Sequence, residues 1–250
     1  MTDRNHFIDN VKMSIDILNE HGVLSSATPL YSLIESIKRY NEADSLTCSL
    51  IGLEFTPSCL SKNQFIKADE WEASSFIVKL DMKLVLVANS CFEFGSVTDH
   101  IVEISYEASS EVTCDLSRGA WHLDYHKDED NASPPQYIHP SYHFHHGGRR
   151  VKDNIGSYGD LILLDAPRLM HPPLDLFLAI DFLISNFTLD RIWKNIRADT
   201  RYQKIIKNSQ DKWWKGYYQQ ISDYWIHQSS GKEDTQKRAS ANLSIPYLYI

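Results

Sequence analysis

The sequence predicts an α+β fold with a central, mostly antiparallel sheet, N-terminal helices and a C-terminal helical segment. Two observations lead to this prediction. The middle of the chain is rich in Val, Ile, Thr and aromatic residues that alternate with polar ones, and both flanking regions carry apolar residues every three or four positions. A chain of 250 residues with 42% hydrophobic residues is also long enough to bury a core.

The N-terminal region predicts two amphipathic helices, each with one apolar stripe. The stripe of the first helix consists of Phe7, Ile8, Val11, Ile15 and Leu18. The stripe of the second consists of Leu30, Leu33, Ile34 and Ile37. Pro29 precedes this second stripe and suits the first position of a helix, where a backbone N–H has no intrahelical partner.

The middle of the chain predicts a meandering antiparallel sheet. Alternation of apolar and polar residues, as in the stretch 101–106, is typical of strands with one buried face. The predicted strands are residues 46–55, 75–89, 100–108, 112–116, 120–126, 141–146 and 160–165.

A helix is predicted after residue 173, because two prolines and Asp175 are typical of a helix start. Asp181 lies within this strongly apolar helix. If it is buried it needs a partner, such as Arg168 or one of the histidines, and if it faces solvent it needs none. We divide the chain into an α+β domain, residues 1–187, and a basic, aromatic-rich helical extension packed on it, residues 188–250.

The extension is basic although the chain as a whole carries a net charge of -8. One stripe of the helix predicted over residues 189–206 consists of Arg191, Lys194, Arg197, Arg201 and Lys204. Such a stripe is typical of a nucleic-acid or protein-partner surface, and also of the solvated face of an amphipathic helix. An aromatic stripe over residues 214–225 predicts core packing or a subunit interface, so a protein partner or a homo-oligomer is expected.

The composition also indicates the cellular location of the protein. The four cysteines are widely spaced, which argues against a zinc ribbon or a disulfide scaffold and suits a reducing cytosol. The longest apolar stretch, residues 174–187, contains two aspartates and is too short to cross a bilayer, and no signal peptide is evident. We expect a cytoplasmic protein without a membrane partner.

The usual sequence motifs of ATPases, dehydrogenases and serine hydrolases are absent.

Histidines are concentrated in two strand-like segments that flank a turn-rich loop. Alternate side chains of a strand share a face, so His122, Asp124 and His126 lie on one face of the first segment. By the same rule, His143 and His145 share a face of the second. If the segments pair as a hairpin in the right register, these five side chains converge on one polar face, which is the candidate catalytic site.

Two chemical interpretations and one structural interpretation fit this face. A divalent metal such as Zn²⁺ or Mn²⁺ suits several histidines and a carboxylate. The metal ligands would be drawn from His122, His126, His143 and His145. Without a metal, a histidine pair can divide the general-base and general-acid roles. The structural alternative is a polar layer in which the histidines and the aspartate satisfy one another.

Three arginines near the hairpin are candidates for substrate binding. Gly147 and Gly148 let the backbone approach a ligand closely, and they precede Arg149 and Arg150, whose planar guanidinium groups match phosphate oxygens. Arg168 is a third candidate for a phosphate contact. The alternatives are an ion pair with the acidic loop for the first two arginines and an ordinary strand-to-helix connection for Arg168.

The segment 140–147, with Pro140, His143 and His145, resembles the Pro-x-x-His-x-His-x-x-Gly type of segment in small bacterial toxin proteins, the TumE-like group. The upstream Trp121 and Asp124 are similar in layout. The resemblance covers the hairpin and neither the N-terminal helices nor the C-terminal third. It implies that His143 and His145 are the functional pair, in a toxin or phage-defence setting where nucleic acid is damaged.

The leading hypothesis is a prokaryotic defence or toxin-type protein that acts on a phosphodiester, in nucleic acid, through the histidine-rich strand pair. The alternative is a non-catalytic subunit of a multi-protein anti-phage defence complex that docks through its C-terminal helices. A third hypothesis is a metal-dependent enzyme that acts on a small molecule.

Overall fold

Helices at both ends of the chain flank a run of antiparallel strands, which confirms the predicted α+β fold. The structure, a computed structural model, describes residues 3–40, 45–61, 73–87, 91–110, 116–125, 142–147 and 169–230. The N-terminal helices are α1 (Asp3–Glu20) and α2 (Thr28–Arg39). The strands are β1 (Leu46–Glu54), β2 (Ala73–Leu86), β3 (Val97–Ser110), β4 (Leu116–Tyr125), β5 (Tyr142–His146) and β6 (Leu169–Met170). The C-terminal helices are α3 (Leu176–Phe187), α4 (Asp190–Ala198), α5 (Thr200–Ser209) and α6 (Lys215–Ser230).

The strands form one antiparallel sheet in sequence order, β1 to β6. Five of the predicted strands match β1 to β5. Of the remaining predictions, residues 112–115 and 160–165 lie outside the described residues. The short strand β6 has no counterpart among the predicted strands, and it forms because Leu169 and Met170 pair with the edge of β5.

One face of the sheet is apolar and packs against helices, as the alternation along the strands requires. Helix α3 lies on this face: the ring of Phe182 is 5.3 Å from that of Phe144 on β5, and Phe187 is 6.3 Å from Phe76 on β2. The apolar stripes predicted for α1 and α2 are buried in the same cluster. The opposite face is polar and carries cross-strand ion pairs such as Lys83–Asp99, at 2.6 Å.

Helix α3 begins where its capping residue predicts. The Asp175 carboxylate accepts a hydrogen bond from the backbone N–H of Leu178 at 2.9 Å, which satisfies an amide that has no partner within the helix. Complete burial raises the pKa of Asp175 to about 6, against the lowering effect of this bond and of one from Ser209. The cap therefore lies inside the protein rather than on its surface.

The prediction of a single helix over residues 189–206 is wrong. The helix is interrupted at Asp199, which separates α4 from α5. Asp199 has an extended backbone and its carboxylate accepts a hydrogen bond from the N–H of Arg201 at 2.7 Å, which starts α5 anew. A π-helical turn, Gln210–Trp214, then joins α5 to α6. The wider turn places Trp213 in the core and lets the indole N–H of Trp214 donate to the Pro173 carbonyl at 2.8 Å.

The first helix is tied to this π-helical turn by one carboxylate. Asp3 forms an ion pair with Lys212 of the turn and accepts a hydrogen bond from the N–H of Phe92 at 2.6 Å. The Phe7 and Phe92 rings stack beside this contact at 4.2 Å. Distant parts of the sequence therefore meet at the start of α1.

Core residues of the predicted extension belong to the same apolar cluster as the sheet. Ile196, Tyr202, Ile205 and Trp213 are buried together with residues from α1, α3 and β1 to β5. The division at residue 187 remains a prediction. Among the described residues, no helix is both long and apolar enough to cross a membrane.

We predict that Gly119→Ala destabilises the protein. Gly119 on β4 lies under the Tyr106 ring of β3, which a Cβ would overlap, and Tyr106 is held by a hydrogen bond to His146 Nε2 at 2.8 Å. Moving the ring should cost about 1–3 kcal/mol of unfolding free energy, as overpacking usually does. Urea denaturation measures this, and Gly95→Ala is the control because no atom lies near its added Cβ. Equal stability of the two variants would contradict the prediction.

We predict that His100 lowers stability in acid. His100 is fully buried between Tyr142 and Trp213, and neither ring nitrogen has a hydrogen-bond partner among the described residues. Burial lowers its pKa from 6.5 to about 4. The unfolded chain therefore binds a proton below pH 6.5 that the folded protein binds only near pH 4, so stability falls across that window.

Between pH 7 and pH 5, the wild-type protein should lose about 2 kcal/mol more stability than a His100→Leu variant. Urea denaturation at the two pH values measures the difference. His21→Leu, outside the core, serves as the control and should keep the wild-type pH dependence. Identical pH dependence in wild type and His100→Leu would show that His100 does not cause the loss.

Candidate metal and catalytic site

The candidate site is built by the pairing of β4 with β5. In this register Asp124 lies opposite His143 and His122 lies opposite His145, so all four side chains share the polar face of the sheet. The alternate residues point into the core, where Leu123 lies opposite Phe144. The structure thus brings together four of the five side chains that the sequence places on this face.

Asp124 lies at the centre of the group. Its Oδ2 is 2.8 Å from His122 Nε2 and 3.9 Å from His143 Nε2. The His122 and His145 rings are nearly perpendicular, with centroids 3.5 Å apart, and the His143 and His145 centroids are 5.6 Å apart. The His143 side chain is 1% exposed, whereas His122 and Asp124 are 12% and 18% exposed. Solvent exposure within the group therefore increases from the buried His143 to the partly exposed His122 and Asp124.

Three of these residues offer a ligand set for a metal ion. Each of them offers one ligand atom, and the atoms of His122, Asp124 and His145 lie within 4.8 Å of one another. No other such group of three is found among the described residues. In a tetrahedral zinc site with bonds of about 2.1 Å, ligand atoms stand about 3.4 Å apart. Because the ligand atoms lie within 4.8 Å of one another, side-chain shifts of at most about 1.4 Å for each pair of atoms would bring them to that spacing.

The predicted ligand set changes in two ways. Asp124 joins the set, and His143 lies outside it, beside Asp124. The fourth predicted ligand, His126, lies outside the described residues. Two histidines and one carboxylate leave coordination positions open for water and substrate, which is typical of catalytic rather than structural metal sites.

Glu103 is a site residue that the sequence prediction missed. It lies on β3 directly opposite His122 and on the same face. Burial raises its pKa, and the nearby Asp124 acts in the same direction, while His122 lowers it. The alternation of Val102, Glu103 and Ile104 already places this carboxylate on the polar face, but its position beside His122 depends on the strand order.

Gly147 ends β5 and has a structural reason to be glycine. Its φ of 108° lies in the left-handed region, and its N–H donates to the Ala120 carbonyl at 2.8 Å. The backbone thus closes the β4–β5 pair at the end nearer to His122 and His145. The three predicted phosphate-binding residues, Arg149, Arg150 and Arg168, lie outside the described residues.

Most of the predicted basic stripe is engaged in contacts within the chain. Arg197 binds both carboxylate oxygens of Asp181, and Arg201 binds Glu20 and Asp199. Lys194 pairs with Asp190 at 2.7 Å, while Arg191 and Lys204 are exposed. Asp181 is thus buried with Arg197 as its partner, rather than with Arg168 or a histidine. The stripe is therefore divided between α4 and α5, and ion pairs connect these two helices to α3 and α1.

Comparisons of the chain with protein-family models, with curated proteins and with solved structures find no match.

We predict that the protein binds one Zn²⁺ or Mn²⁺ ion per chain. His122→Ala and His145→Ala each remove one of three ligands and should weaken binding at least tenfold, because a two-ligand site holds an ion poorly. His143→Ala should keep the stoichiometry and weaken binding less, since His143 contacts the ligand Asp124. Affinity should also fall as the pH is lowered, because bound histidine must be deprotonated.

Isothermal titration calorimetry on the purified protein measures both affinity and stoichiometry. His21→Ala, on the turn after α1, is the matched histidine control and should bind like wild type. Wild-type protein that binds no ion, or a His21→Ala variant that loses binding equally, would exclude the three-residue metal site.

Proposed function

We propose that this protein is a metal-dependent hydrolase of phosphodiesters, with nucleic acid as the substrate. The observation that carries the proposal is the convergence of His122, Asp124 and His145 within 4.8 Å on a partly exposed face. A divalent ion held there would lower the pKa of a bound water and polarise a phosphoryl oxygen. A set of three ligands leaves room for both water and substrate.

The neighbouring residues support proton transfer at such a site. In this proposal His143, which is buried next to Asp124 and outside the ligand set, is the proton-transfer group of the site. Asp124 Oδ2 lies at hydrogen-bond distance from His122, which orients that ring, and His143 lies 3.9 Å from the same oxygen. Glu103 adds a second carboxylate beside His122.

A metal-free route uses the same side chains. The His122 ring donates a hydrogen bond to Asp124 at 2.8 Å, as in a histidine oriented for general-base work, and His143 approaches the same carboxylate from the other strand. Two histidines around one aspartate could divide the acid and base roles in phosphodiester cleavage. The two routes differ in their response to a chelator.

The choice of nucleic acid as substrate, and of a toxin or defence setting, rests on the TumE-like resemblance of the hairpin. Phosphate contacts by Arg149, Arg150 and Arg168 are part of the same proposal. We also propose a cytoplasmic location, which agrees with the buried free thiols of Cys48 and Cys59 and the exposed free Cys91.

The alternative function is a non-catalytic subunit that docks through its C-terminal helices. The observation that favours it is the exposure of Tyr218, Trp225 and Ile226 on α6. Tyr218 and Trp225 are seven residues apart and so lie on the same side of the helix. Exposed aromatic residues on one helix face are typical of protein interfaces.

We predict that the purified protein cleaves RNA or DNA with Mn²⁺ or Zn²⁺ and stops when EDTA is added. The double variant His143→Ala/His145→Ala and the single variant Asp124→Asn should be at least 100-fold slower, since each removes a ligand or a proton-transfer group. Gel analysis of end-labelled RNA and DNA measures the rates, and His21→Ala should cleave like wild type.

Each outcome of this assay separates the proposals. Cleavage that resists EDTA and is lost in the histidine variant would support the metal-free route. Absence of cleavage by the folded wild-type protein would contradict a hydrolase acting alone and favour the subunit. Near-ultraviolet circular dichroism of each variant shows whether a loss of activity reflects unfolding.

A further inference from the structure

A second candidate site lies among the C-terminal helices and shares no residue with the histidine group. It is an open cleft of about 290 Å³ between α3, α4, α5 and the π-helical turn. Its volume is close to the lower limit for small-molecule sites. The lining is Asp181, Arg197, Tyr202, Gln203, Ile206, Lys207 and Gln210. Nearly all of these side chains are polar, although the cleft lies against the apolar core.

The base of the cleft is a buried carboxylate with its partners. Asp181 is 8% exposed and accepts hydrogen bonds from Arg197 Nε at 3.1 Å and Arg197 Nη2 at 2.7 Å. The buried Tyr202 hydroxyl also donates to Asp181, at 3.2 Å. These three donors fix the carboxylate, and the two bonds to one guanidinium fix the plane of Arg197.

Stability alone is a weak reason for this arrangement. Burying the Asp181 carboxylate costs desolvation, and replacing buried ionic groups with apolar residues is often neutral or stabilising. Here the pair holds an arginine at the mouth of a cleft, with the Arg197 side chain 47% exposed. Of its five N–H donors, two are used by Asp181, and among the described residues the Arg197 side chain forms no hydrogen bond or ion pair with any other residue. The donors that remain include both N–H groups of Nη1.

Lys207 adds a second positive charge. Gln203 and Lys207 are four residues apart on α5, so both reach the cleft from one helix face. Within the described part of the chain Lys207 lies near no carboxylate at ion-pair distance, in contrast to Lys194 and Arg201, which are paired. Two positive charges therefore face a single negative charge, that of Asp181.

The π-helical turn borders the same cleft. Gln210 is both the first residue of the turn and a lining residue. Single π-helical turns interrupt the regular hydrogen bonding of a helix and are frequently found at functional sites. This backbone irregularity is an observation independent of the charges, and it points to the same place.

We propose that this cleft binds a small molecule through an oxyanion group, a phosphate or a carboxylate. The Nη1 donors of Arg197 and the ammonium group of Lys207 hold the oxygens. Gln210 also lines the cleft, and its amide can bond to the rest of the ligand. Asp181 acts as a positioning residue, since it orients the guanidinium without contacting the ligand.

The test titrates the full-length protein with inorganic phosphate and, separately, with succinate, at ionic strength held constant with NaCl, and follows binding by calorimetry. Binding of phosphate alone assigns a phosphate group, and binding of succinate alone assigns a carboxylate. Lys207→Gln removes one cleft charge, leaves the Asp181–Arg197 pair intact, and should weaken binding at least tenfold. Lys204→Gln, on the same helix but outside the lining, is the matched control and should bind like wild type.

Two outcomes would overturn the proposal. Either wild type binds neither probe, or Lys204→Gln weakens binding as much as Lys207→Gln does, as expected for general charge attraction. Thermal unfolding of both lysine variants should match that of wild type, because neither residue lies in the core. Metal binding at the histidine group should be unchanged in Lys207→Gln, so this test is independent of the proposed hydrolase function.

Discussion

The histidine group depends on the register in which β4 pairs with β5. Side chains alternate along a strand, so a shift of one residue would carry the imidazoles into the core and the aromatic residues to the polar face. Aromatic contacts on the core face oppose such a shift: Tyr125 stacks on Tyr142 at 4.6 Å, and Trp121 stacks on Phe144 at 5.2 Å. Apolar packing on one face therefore sets the polar geometry on the other.

Local patterns predicted most of the fold, and the errors occur where tertiary contacts decide. Alternation identified β1 to β5 and helical spacing identified α1 and α2, because these patterns follow from which side of an element is buried. The break at Asp199 was missed because apolar and basic residues continue in phase across it. Strand β6 is only two residues long and exists through its pairing with β5, which no local pattern reveals.

The same limit applies to the two candidate sites. Four members of the histidine group could be predicted because a hairpin brings nearby segments together. Glu103 required the knowledge that β3 is the other neighbour of β4. The partner of Asp181 was sought among the histidines and Arg168, yet it is Arg197 on α4. In the sequence, a basic stripe resembles a solvent-exposed binding surface. Its arginines instead pair with acidic residues from other parts of the chain, which the sequence pattern does not reveal.

The contact between Asp3 and Lys212 has a consequence for the order of assembly. The two residues are 209 positions apart, so α1 leaves the ribosome long before its partner has been synthesised. Until the π-helical turn follows, the Asp3 carboxylate has only solvent around it on this side, whereas the apolar stripe of α1 can already pack against earlier elements such as α2 and Phe92. Contacts that span such a separation are slow to form, so we expect the pairing of α1 with the π-helical turn to come late in folding.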